Sequence, residues 1–81
     1  MKLTAEISMY PLADNYILAI DGFIRHLNQQ AEITVITTPT CTQINGDYDL
    51  VFAFIQQGIK QSHAEFGRAV FVTKFIADHQ L

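Results

Sequence analysis

Leu3, Ala5, Ile7 and Met9 alternate with Thr4, Glu6, Ser8 and Tyr10, and Pro11 ends the run. Successive strand side chains point to opposite faces, so this segment predicts a strand with one apolar and one polar side. The apolar side must be covered by something. The polar side, with a carboxylate, a hydroxyl and a phenol in a row, is either a solvated surface or the floor of a polar ligand site.

The next segments of the chain supply the cover. Asp14 or Asn15 can cap a first helix, along which Ile17, Ile20, Ile24 and Leu27 recur at helical spacing. Ile33–Thr38 is rich in β-branched residues and reads as a second strand. Pro39-Thr40 turns it into a third strand, Cys41–Ile44, making a hairpin. Asn45-Gly46-Asp47 reads as another turn, with Asp47 capping a second helix striped by Leu50, Val51, Phe54, Ile55 and Ile59. Ser62–Gly67 is the next break, and Arg68–Ile76 a fourth strand.

The order β-α-β-β-α-β is the ferredoxin-like α+β arrangement. Right-handed crossovers put both helices on one face of a four-stranded antiparallel sheet, in the order 4-1-3-2. The chain, residues 1–81, is expected to be a single domain, because 81 residues leave no room for a second core. The fourth strand is apolar on both sides: Ala69, Phe71 and Phe75 on one, Val70, Val72 and Ile76 on the other. A strand covered only by helices should alternate, so a second subunit is expected over the open side. Only 16% of residues are charged against 49% hydrophobic, which fits a small domain that hides apolar area in an assembly.

Several functions are excluded by what is missing. The net charge of −3 and scattered Lys and Arg give no nucleic-acid footprint. His26, His63 and His79 are far apart with no paired cysteines, so no metal-ligand spacing is met. Neither a GxSxG elbow nor a phosphate-cradling glycine loop is present, and the loop after the first strand has no Arg or Lys. A cofactor-free oxygenase of this topology needs a pocket His, Asn or Trp; the chain has no Trp, and no histidine falls on an expected strand. No catalytic residue and no cofactor is assigned, and the chain is read as not an enzyme. The one cysteine, Cys41, allows no internal disulfide. With no signal segment or membrane-spanning run, a cytoplasmic protein without membrane insertion is expected.

Hydroxyl and aromatic groups remain. Thr37, Thr38, Thr40 and Thr42 crowd the hairpin, either through strand propensity alone or because hydroxyls suit a heteroaromatic ring with mixed donor and acceptor edges. Tyr10, Tyr48 and Phe66 could stack on such a ring, or serve as ordinary packing. Glu6 could accept from an exocyclic amine, or be a solvent-facing charge near Lys74.

Ser8-Met-Tyr-Pro-Leu12, with Asp14-Asn15-Tyr-Ile17 after it, resembles the first strand, loop and helix of the YkoF-like thiamin-binding family. Thr37 through Thr42-Gln-Ile-Asn-Gly46 and Asp49-Leu-Val-Phe52 are similar to the same family in matching register, so the resemblance runs from about Ala5 to Ser62. It implies a ferredoxin-like fold that binds thiamin or its hydroxymethylpyrimidine half without catalysis, in vitamin uptake or salvage. Best-known members carry two copies of the fold in one chain. A single copy implies that chains pair as a homo-oligomer, dimer or tetramer. Ser8, Tyr10, Thr37 and Thr42 match the family pattern, and with Glu6 and Thr38 they form the expected ligand-binding set. The alternative is a ligand-free assembly module that uses its sheet face purely as an interface.

Overall fold

The computed structural model describes all residues from Met1 to Leu81. The elements are β1 (Lys2–Pro11), α1 (Tyr16–Asn28), β2 (Thr34–Thr37), β3 (Thr42–Asp47), α2 (Tyr48–Phe66) and β4 (Ala69–Ala77). They form one antiparallel sheet in the order β2-β3-β1-β4, the expected topology. Both helices pack on one side of it.

Register decides which residue serves which side, because directly paired residues share a face. Leu3, Ala5 and Ile7 pair with Gly46, Ile44 and Thr42, and these positions lie beneath the helices. Leu3, Ala5, Ile7, Phe23, Leu27, Ile33, Ile44, Val51, Phe54 and Ile55 make one continuous buried core. Full burial of side chains such as Leu3, Leu27, Ile44 and Val51 stabilises by about 1.5–3 kcal/mol each. The molecule spans 38 × 21 × 16 Å, and 16 Å is the depth of one sheet and one helix layer.

The other side of the sheet is bare over most of its area. Val70, Val72 and Ile76 of edge strand β4 are 47%, 51% and 50% exposed there, beside Tyr10 at 56%. On the helix side of the same edge, Phe75 stacks on Phe52 at 4.8 Å, and Phe52 meets Tyr48 edge-on at 5.0 Å. The two-sided apolar character expected for the fourth strand is therefore real.

Two local expectations are corrected. Asn45, Gly46 and Asp47 are not a turn but the end of β3, which runs straight into α2. Asn45 is buried, and its amide donates to the Leu3 carbonyl, the Thr4 hydroxyl and the His79 carbonyl. Gly46 is needed for close approach, since a Cβ there would sit 2.8 Å from the Ile33 side chain. Local turn chemistry lost to tertiary contact. Next, Ser62–Gly67 is not the break: α2 continues to Phe66 with Ser62 buried, so His63 is helical, and Gly67 at φ +85 stops the helix. Pro11 ends β1 as expected, paired opposite Ala69 and lying past the last β1–β3 pair at Ile7 and Thr42, so its missing N–H costs no bond to β3.

The tail after β4 is also ordered. Asp78 takes φ +57 and turns the chain back over the bare face, where His79 Nδ1 lies 2.8 Å from the Thr4 hydroxyl. Thr4 and its pair Asn45 are thereby buried on a face that is otherwise largely open.

Candidate functional site

A cleft of about 80 Å³ opens between α1, β1 and the β2–β3 hairpin. Ile7 and Met9 form one wall, Ile20, Phe23 and Ile24 another, and hairpin residues 38–42 the lip. The wall residues come from two periodicities meeting. β1 alternates by two, and α1 repeats by three and four, so both present apolar stripes to one gap. The room is small: at ~30 Å³ per water in the liquid, the cleft holds roughly two to three waters, the scale of one small ring. Pockets that enclose drug-sized ligands run about 300–1,000 Å³, so this one takes a single ring.

Polar groups sit only at the lip. Thr42 is buried opposite Ile7, beneath α1, and its hydroxyl has no hydrogen-bond partner within the protein. The Thr38 hydroxyl is already engaged. It donates to the Cys41 carbonyl at 3.1 Å and accepts from the Cys41 and Thr40 amides at 3.2 and 3.4 Å. That is a side-chain-closed turn, and it holds the lip in shape. Cys41 Sγ lies 3.4 Å from the same hydroxyl.

The six expected ligand residues do not converge. Thr38 and Thr42 line the cleft, and Thr37, paired with Thr42, shares its face but is exposed. Glu6, Ser8 and Tyr10 lie on the opposite face of β1. Ser8 donates to the Thr40 carbonyl at 3.2 Å, so it anchors the hairpin from behind. Glu6 faces Lys74 across the β1–β4 pair at 3.9 Å, with both side chains well exposed. Such a surface pair contributes about 0–1 kcal/mol. Tyr10 belongs to the bare apolar patch with Val70 and Val72. A one-residue step along a strand reverses its side, which is why neighbours in sequence ended on different faces.

The walls were the part missed. Ile20 and Ile24 were legible as a helical stripe, but a stripe that fills a core and one that borders a cleft look identical in sequence. Only the gap left by the hairpin distinguishes them. No three His, Cys, Asp or Glu side chains gather in a way that could hold a metal ion. No helix is long and apolar enough to cross a membrane.

Solved structures share this architecture. A Streptococcus pneumoniae protein superposes with a TM-score of 0.88 at 23% identity, over 98% of this chain and 89% of that one. A proposed thiamine biosynthesis/salvage protein from Thermotoga maritima gives 0.83 at 16% identity, over 93% and 82%. A hypothetical protein from Methanocaldococcus jannascii gives 0.82 at 20%, over 99% and 84%. At these identities the likeness establishes the fold. No curated protein matches. The YKOF-related family model matches residues 2–77, nearly the whole length. The chain belongs to the YKOF-related family.

Proposed function

We propose that this protein binds thiamin or its hydroxymethylpyrimidine half without transforming it, as a homo-oligomer serving vitamin uptake or salvage in the cytoplasm. The observation that carries the reading is the ring-sized cleft with the unengaged Thr42 hydroxyl at its lip. Family membership and the Thermotoga maritima neighbour's proposed thiamine role support the choice of ligand. A flat heteroaromatic ring would lie between Met9 and Phe23, with Thr42 and hairpin backbone groups meeting its edge. Room for one ring favours the pyrimidine half inside, with the remainder of thiamin extending past the hairpin.

Apolar contact plus two or three hydrogen bonds make micromolar affinity the expected scale, about −8 kcal/mol. Isothermal calorimetry with thiamin and with hydroxymethylpyrimidine tests it. Saturable heat for either compound supports the reading. Absence of heat, together with an unmoved melting temperature at millimolar ligand, defeats it.

The second reading, an assembly module without a small ligand, draws on the exposed Tyr10, Val70, Val72 and Ile76 patch. The two readings need different surfaces, so one molecule can satisfy both. The patch is the surface on which a second copy would sit, and a two-fold contact there is self-complementary. Sedimentation of the free protein measures this separately from ligand binding.

A further inference from the structure

On the far side of Phe71 lies another cavity, of about 220 Å³, formed where α2 ends and β4 begins. Its floor is apolar, made by Ile59, Ala69 and Phe71, and its rim carries His63, Gly67 and Arg68. No carboxylate lines it, although the chain holds eight acidic residues against five Lys and Arg. Arg68 is exposed, and its charge is uncommitted, since the protein's one ion pair joins Lys74 and Glu6. The Gly67 amide makes the closing bond of α2, to the His63 carbonyl at 3.0 Å, and the helix end itself disfavours an anion, so attraction for one must come from Arg68 and His63. At Gly67 nothing lies within 4 Å of where a side chain would begin, so the rim is open beside Arg68.

An apolar floor with a cationic rim selects a ligand with a greasy body and an anionic head. We propose that this cavity binds a phosphate monoester carried on a single small ring. The ring rests on Ile59 and Phe71. Arg68 takes two phosphate oxygens in its planar fork, and His63 supplies a second donor. The volume fits one ring with its head group at the mouth, below the ~300 Å³ at which fully enclosing pockets begin.

The test is an amide NMR titration of the full chain with phenyl phosphate, run beside inorganic phosphate and phenol. Saturable shifts centred on Gly67, Arg68 and Phe71 with phenyl phosphate, and much weaker ones with either half alone, are expected. Arg68→Gln should weaken phenyl phosphate binding by about tenfold or more, as loss of a charge-assisted contact does. Its melting temperature should not move, because Arg68 makes no side-chain contact that holds the fold. Equal response to inorganic phosphate alone, shifts centred elsewhere, or an unchanged isotherm in the variant would each overturn the proposal. Because the probe is neither thiamin nor a pyrimidine, failure here is separate from failure of the cleft as a vitamin site.

Discussion

The rings of Phe23 and Phe71 meet at 5.1 Å and 53°, and this tilted pair is the partition between the two cavities. Phe23 comes from α1 and faces the cleft, while Phe71 comes from β4 and floors the cationic cavity. The contact also ties the first helix to the edge strand, so it serves stability and shape together.

Truncating the partition separates those roles. Phe23→Ala should cost about 3–5 kcal/mol of stability by leaving a void in the core. Phe23→Leu keeps most of the volume and should fold, with the cleft enlarged and ring affinity reduced. Chemical denaturation and calorimetry on the two variants check this.

The cleft lip gives a cleaner ligand test. Thr42→Val removes one hydroxyl at nearly constant shape, so affinity for the pyrimidine should fall by about 0.5–1.5 kcal/mol with little change in melting temperature. Tyr10→Ala should leave ligand affinity unchanged, because Tyr10 stands on the other side of the sheet. A reversed pattern in calorimetry would move the site to that side.

Assembly depends on a different residue. Val72 is 51% exposed in the single chain, so Val72→Asp should be tolerated by the fold. Buried against a second copy, the unpaired carboxylate would cost several kcal/mol. Sedimentation equilibrium should therefore show a folded monomer where the parent protein associates. A parent that stays monomeric at high concentration rules out this interface.

Asn45 is the polar centre of the bare face. Its amide serves Leu3, Thr4 and His79 at once, and it is 5% exposed. Asn45→Ala removes that shared donor, leaving the His79 carbonyl only its 3.2 Å bond from the Thr4 hydroxyl, and should cost about 1–3 kcal/mol. Loosening of the tail should accompany it, seen as faster amide exchange after Ala77.

Much of the architecture was readable from spacing. Alternation along Leu3–Met9, the helical stripes at Ile17–Leu27 and Leu50–Ile59, and the β-branched hairpin required a βαββαβ chain, since each segment has one face that only the others can cover, although Ile17 and Leu50 themselves stay exposed. Two-sided apolarity in β4 was readable as well. Those features depend on neighbours a few residues apart, which a sequence displays directly. Grouping the site was another matter. Ser8 and Thr42 looked like partners as hydroxyls, yet strand parity sends Ser8 behind the hairpin and Thr42 beneath α1. Asn45-Gly46 reads as a turn in isolation, and was made into strand by contacts with Leu3, Thr4, Ile33 and a returning tail. Register between strands and the gap left by a helix are set by residues far apart along the chain, so tertiary packing alone decided where a cavity could exist.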